Sequence, residues 1–149
     1  QGAFGIHQIK KLEKFIKIRI SIADYWNKKL KPYSKYFILP LESKQIRNTY
    51  MAYPITIKQN SFFTKNQLVQ YLEKNKIETR PVMAGNITQQ PVMKYLDHKK
   101  IGTLKNSQYI TDNSFLIGIH QNINKQMKEF VIKKIIEFVD TNTNTKERK

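Results

Sequence analysis

Cysteine is absent from the 149 residues. Disulfides, thiolate metal sites and a cysteine nucleophile are therefore excluded from this chain, and a cytoplasmic setting is the default expectation. Acidic residues are scarce: 11 Asp and Glu stand against 27 Lys and Arg, a formal net charge of +16. They are dispersed, and no carboxylate pair suited to acid–base work stands out. Only three histidines occur (His7, His98 and His120), and their spacing fits no metal site. Five Gly and five Pro argue against a low-complexity chain. Long apolar runs are missing. Phe115-Leu116-Ile117-Gly118-Ile119 is far too short to span a bilayer, so no membrane partner is expected. The first residues hold no basic segment followed by an apolar stretch, so no signal peptide is visible. There is no initiator Met, and the chain reads as a piece of something longer. G-x-S-x-G, P-loop, H-E-x-x-H and G-x-G-x-x-G patterns are missing as well.

What remains is an ordinary globular balance, with 40 % hydrophobic and 26 % charged residues. That suits one domain with a buried core. An excess of cations attracts nucleic acid, acidic membranes or phosphorylated ligands. Here the lysines are spread along the whole length, and A/T-rich codons would supply Lys, Ile and Asn together. No recognition motif accompanies them, so a basic nucleic-acid-binding module stands only as an alternative from another class.

Ile6, Ile9, Leu12, Ile16, Ile20, Ala23, Trp26 and Leu30 recur at steps of three or four. This predicts one amphipathic helix over about 1–31, ended by Pro32. At ~1.5 Å per residue it reaches roughly 45 Å, a length suited to bracing two domains. Residues 37–41 read as a short strand or an extended arm. In 51–58, apolar Met51, Tyr53, Ile55 and Ile57 alternate with Ala52, Pro54, Thr56 and Lys58, which predicts a strand; Pro54 prefers an edge or a bulge. Thr64 and Gln67 form a capping box that opens a second helix, with Leu68, Val69 and Leu72 buried and Asn75 a left-handed cap. Residues 77–82 and 115–119 read as further strands, 91–96 as a short helix, and 97–113 as a loop with one helical turn around 107–111. Asn124 caps a last helix to about Asp140, its core stripe being Met127, Phe130, Val131, Ile135, Phe138 and Val139. Residues 141–149 have no apolar side chain and read as a disordered tail. The chain thus divides into a linking helix (1–31), a small domain (32–140) and a tail (141–149). The fold class is α+β: a small sheet of about three strands with helices packed on one side.

One polar turn stands out. Glu78-Thr79-Arg80-Pro81-Val82-Met83-Ala84-Gly85-Asn86-Ile87-Thr88-Gln89-Gln90-Pro91 contains no lysine in a lysine-rich chain. Arg80 offers a planar fork suited to a diphosphate or carboxylate. Gly85 permits a close backbone approach, and Asn86 and Gln90 can read hydroxyls or a base edge. A plain structural reading competes: Arg80 pairs with Glu78, and Gly85-Asn86 only turns the chain. His120, after the third strand, is a further candidate. His7 reads as structural, and Tyr33, Tyr36, Phe37, Tyr50, Tyr53, Phe62 and Phe63 as packing residues.

Gln1-Gly2-Ala3-Phe4-Gly5-Ile6-His7-Gln8-Ile9-Lys10-Lys11-Leu12 resembles the "QAAxGxxQLxKL" helix that begins the C-terminal part of the DegT/DnrJ/EryC1/StrS enzymes. Tyr53-Pro54-Ile55-Thr56-Ile57, Ile77-Glu78-Thr79-Arg80 and Phe115-Leu116-Ile117-Gly118-Ile119-His120 resemble later elements, and the likeness extends to about Val139. The turn Arg80-Pro81-Val82-Met83-Ala84-Gly85-Asn86 is similar to the "RPxxxGN" form of the nucleotide-sugar 3-dehydratases. Gly118-Ile119-His120-Gln121 is similar to their "GNHQ", with Ile119 in place of Asn. The lack of Cys disfavours the iron–sulfur branch. The resemblance implies the C-terminal domain of a fold-type-I enzyme that works as a homodimer with pyridoxal or pyridoxamine phosphate. It implies a 3-dehydratase acting on an NDP-4-keto-6-deoxyhexose in deoxysugar (lipopolysaccharide) synthesis, with a sugar aminotransferase as the alternative. In the dehydratase branch a His replaces the Schiff-base Lys; that residue and the other cofactor contacts precede Gln1. This chain alone is then expected to bind no cofactor and to be inactive. It has no catalytic residue of its own; Arg80, Gly85, Asn86, Gln90 and His120 are its candidate substrate contacts.

Overall fold

A computed structural model describes residues 2–40 and 45–147, without the side chains of 144–147. Helix α1 covers Gly2–Leu30. Pro32 then lies in the first turn of a 3-10 segment, Lys31–Tyr33, where its missing N–H breaks no bond. Strands β1 (Phe37–Ile38) and β2 (Ala52–Ile57) follow, then α2 (Lys65–Lys74), β3 (Thr79–Pro81), α3 (Lys105–Asn113), β4 (Ser114–Gly118) and α4 (Lys125–Glu147). Among the described residues the sheet has four strands in the order β1-β2-β4-β3, antiparallel throughout. The strand beyond the expected three is β1, only two residues long; Leu41, also placed in it by the sequence reading, lies outside the described residues. Among the described residues β1 pairs only with Thr56 and Ile57, which leaves Pro54 on the open side of β2, where proline is tolerated.

Alternation in β2 decides which face is buried. Tyr53, Ile55 and Ile57 stand opposite Ile117, Phe115 and Phe37, and all six are buried. Trp26 and Leu30 of α1, Leu68 and Leu72 of α2, and Ile132, Ile135, Phe138 and Val139 of α4 complete this core. The Trp26 ring meets Tyr53 edge-on at 5.0 Å and 78°, a pair contributing roughly 0.5–1.5 kcal/mol beyond area burial. Its Nε1–H donates to Lys128 O at 3.0 Å, tying α1 to α4. The Tyr53 hydroxyl donates to Asn27 Oδ1 at 2.7 Å, and burial pushes its pKa well above the ordinary phenol value. The opposite face of the sheet carries smaller groups: Ala52, Pro54 and Thr56 pair with Gly118, Leu116 and Ser114.

Several expectations are corrected. The apolar stripe of α1 is buried only from Ile16 onward; Phe4, Ile6, Ile9 and Leu12 are exposed, Ile9 at 72 %. Met127 and Phe130 also face outward, while Ile132 takes a core position. The capping box at Thr64 and Gln67 is present. Asn75 is not the left-handed residue, however. Lys76, with φ 63°, is. The last helix continues past Asp140 to Glu147, and only Arg148 and Lys149 of the expected tail lie wholly outside the described residues. Asn142 Nδ2 and Thr143 Oγ1 donate to the carbonyls of Phe138 and Val139, one turn back along this helix, at 2.7 and 2.8 Å. Residues 105–113, read as a loop with a single turn, form the nine-residue helix α3.

Candidate functional site

The chain enters β3 through an anchored corner. Glu73 Oε1 accepts from Thr79 N–H at 2.6 Å and from Thr79 Oγ1–H at 2.7 Å. These bonds hold the Glu73 carboxyl below the ordinary carboxylate range. Arg80, next in β3, pairs in register with Leu116. Its guanidinium forms an ion pair with Glu78, and both side chains are largely exposed. A pair so open to water is weak, so a ligand anion can take over the guanidinium at little cost. A shallow cleft of about 340 Å³ lies here, lined by Ile77, Glu78, Arg80, Ile117 and Gly118.

Beyond β3 the polar turn folds onto α3 rather than into open space. Gly85 N–H donates to Val82 O at 2.8 Å. Gly85 has φ 59°, and Met83, which has a side chain, has φ 36°. A methyl group at Gly85 would sit 2.8 Å from Thr111 Oγ1, so glycine here permits contact with α3. Asn86 is 4 % exposed and fully engaged. Its N–H donates to Thr111 Oγ1 at 2.6 Å and its Nδ2 to Gln108 Oε1 at 3.0 Å, while its Oδ1 accepts from Thr88 N–H and Oγ1–H. Gln90 Nε2 donates to Ala84 O at 2.7 Å, closing the loop on itself.

His120 is exposed just past β4. Its Nδ1 lies 3.2 Å from Asn122 N. An amide N–H can only donate, so Nδ1 accepts and the ring proton sits on Nε2.

The register separates these residues. Thr79 stands opposite Ile117, so the start of β3 lies beside the end of β4 that leads to His120. The 82–90 loop leaves the other end of β3, beside the start of β4. Arg80 lies between and lines the cleft, whereas Gly85, Asn86, Gln90 and His120 do not line it. The sequence reading also missed Glu73, Gln108, Thr111 and Asp112. The spacing of Gln108 and Asp112 is their only signal, and it speaks only once 105–113 is known to be helical. Among the described residues, no group of three or more His, Asp or Glu is placed to hold a metal. No described helix is long and apolar enough to cross a membrane.

The chain is similar to known proteins in sequence and in fold. The lipopolysaccharide biosynthesis protein RfbH of Salmonella typhimurium is 29 % identical over 142 residues, 95 % of this chain and 32 % of that protein. The GDP-4-keto-6-deoxy-D-mannose 3-dehydratase of Escherichia coli O55:H7 is 33 % identical over 123 residues, 80 % of this chain and 30 % of that enzyme. A solved structure of the E. coli GDP-4-keto-6-deoxy-D-mannose-3-dehydratase, with bound hydrated PLP, superposes with a TM-score of 0.80 at 30 % identity, covering 90 % of this chain and 34 % of that one. The chain therefore spans about a third of the length of the relatives it matches. The model of the DegT/DnrJ/EryC1/StrS aminotransferase family matches residues 1–136, and the chain belongs to that family of PLP-dependent, sugar-modifying enzymes.

Proposed function

We propose that this chain is the C-terminal domain of a nucleotide-sugar 3-dehydratase, an enzyme that removes the C3 hydroxyl of an NDP-4-keto-6-deoxyhexose. The observation that carries this reading is the 33 % identity to a 3-dehydratase over 123 residues. The resemblance of Arg80-Pro81-Val82-Met83-Ala84-Gly85-Asn86 to the "RPxxxGN" form supports the same reading. The geometry adds support. Arg80 is exposed and weakly paired, with one candidate group toward each end of β4. An exposed, weakly paired guanidinium suits the diphosphate of a sugar nucleotide.

The chain's own part is on the substrate side. Pyridoxal phosphate needs a reactive lysine or its substitute, a partner for its ring nitrogen and donors for its phosphate. The cleft at Arg80 contains no lysine. The one at the start of α2 contains Lys65 and Asp112, but the Lys65 ammonium is committed to Thr111 O at 2.7 Å. No step through the cofactor is assigned to these residues; in this reading the rest of the enzyme seats it, and when bound it supplies the electron sink for C3–O cleavage. Arg80 holds the diphosphate and His120 offers its Nε2–H.

The test is product analysis. The whole enzyme, given pyridoxal phosphate, an amino donor and GDP-4-keto-6-deoxymannose, should yield a 3-deoxy-4-keto sugar nucleotide by mass spectrometry. A 4-amino sugar nucleotide would make it an aminotransferase instead. Turnover of neither kind, with this substrate and with its dTDP-linked 4-keto-6-deoxyglucose counterpart, would refute the proposal.

A further inference from the structure

The hydrogen bonds between the 82–90 loop and α3 have a direction that begins at one charged group. Gln108 Nε2 donates to both oxygens of Asp112, each at 2.8 Å. A carboxylate only accepts, so it fixes which end of the Gln108 amide faces it. Gln108 Oε1 is thereby turned to Asn86 and accepts from its Nδ2. Asn86 Oδ1 is in turn left for Thr88, which donates to it from N at 3.2 Å and from Oγ1 at 2.8 Å. Each amide orientation follows from the previous one, and the order ends in the loop.

Thr111 supplies a second hold. Its Oγ1–H donates to Ser107 O at 2.8 Å, so its single proton is committed to its own helix. The lone pairs of Oγ1 then face Asn86 N–H, 2.6 Å away. Gly85 lies against the same side chain, with its φ in the left-handed region. The Thr111 carbonyl is itself bound by Lys65 Nζ from α2. The loop also contains Met83 at φ 36°, a conformation that persists only where its surroundings impose it.

We infer that Thr111, with the Gln108–Asp112 pair, is a positioning element that holds the 82–90 loop in one shape and so presets the segment that follows Arg80 in the substrate site. Asn86 and Gly85 thus act through α3 and not by touching ligand. The inference rests on the proposed function for the identity of the ligand, a sugar nucleotide. Its structural half stands without it.

Amide exchange in this chain tests the structural half. Thr111→Val keeps the side-chain shape and removes the acceptor. The Asn86 amide should then exchange about tenfold faster, while the amides of Ile55 and Phe115 in the β2–β4 ladder keep their rates. Thr111→Ser restores the hydroxyl and should return Asn86 to within about threefold of the parent. An unchanged Asn86 rate in Thr111→Val overturns the inference. So does equal acceleration of the ladder amides, because Thr111 would then support only overall stability. In the whole enzyme, Thr111→Val should raise KM for the sugar nucleotide by about tenfold and leave kcat nearly unchanged, with Thr111→Ser close to the parent. A loss in kcat at constant KM would overturn the positioning role. Should the parent enzyme turn over no sugar nucleotide, the proposed function fails, and the exchange rates alone decide whether α3 sets the loop.

Discussion

Replacing Gly85 with alanine probes the packing of the turn from its other side. At φ +59° an L-residue costs roughly 1–2 kcal/mol. The new methyl would also sit 2.8 Å from Thr111 Oγ1 and 3.0 Å from its Cγ2. Neither atom yields freely, because Oγ1 is bound to Asn86 N and Ser107 O at 2.6 and 2.8 Å. Turning Thr111 aside leaves polar groups without partners, at roughly 1–3 kcal/mol. The smaller conformational freedom of an unfolded alanine offsets about 0.4–1 kcal/mol. The turn is therefore destabilised by about 2–4 kcal/mol. It can also detach while the sheet stays folded, so urea unfolding will report less than this, and exchange of the Asn86 amide will report the rest. That amide should lose roughly thirtyfold or more of its protection. A second background isolates the clash. Thr111→Ala removes both offending atoms, and Gly85→Ala there should cost only the backbone share less the same offset, about 0–1.5 kcal/mol. Parent-like unfolding with unchanged Asn86 exchange in Gly85→Ala would refute the reasoning. Equal costs in both backgrounds would remove Thr111 from the account.

Trp26→Ala should destabilise the chain by about 3–5 kcal/mol in urea titration, since a fully buried indole is lost and Lys128 O loses its donor; a cost below about 1 kcal/mol would mean that Trp26 does not organise the core. Glu73 gives a pH prediction. Its folded pKa is lowered, so its bonds to Thr79 stabilise above the unfolded carboxyl value and are lost as pH falls through the folded one. The Thr79 amide resonance should titrate with a midpoint below 4.5 and lose that response in Glu73→Gln; a midpoint at or above 4.5 contradicts the geometry. Ile9→Lys on the exposed stripe of α1 should shift the stability of this chain by no more than about 0.5 kcal/mol in the same titration, and a larger loss would show that the stripe is covered.

The element order was legible because each element had a local signature. Alternation marked β2, the Thr64–Gln67 box opened α2, and Pro32 closed α1. The parts that were misread lacked one. α3 has no buried residue and is built from Lys, Asn, Ser, Gln, Thr and Asp with one Tyr and one Ile. Most of these side chains are indifferent to helix, and no apolar stripe runs through them. The helix forms because tertiary contacts use its polar groups: Tyr109 OH donates to Ile57 O at 2.9 Å, and Gln108 and Thr111 take the loop. The two readings of Gly85 and Asn86 stayed open in the sequence for the same cause. Their partner Thr111 lies 25 residues beyond Asn86, in the stretch that looked structureless. A polar turn contains the same residue types whether its groups face a ligand or another part of its own chain. Only what stands opposite tells the two apart, and here that is a helix which becomes visible as one only through the loop it holds.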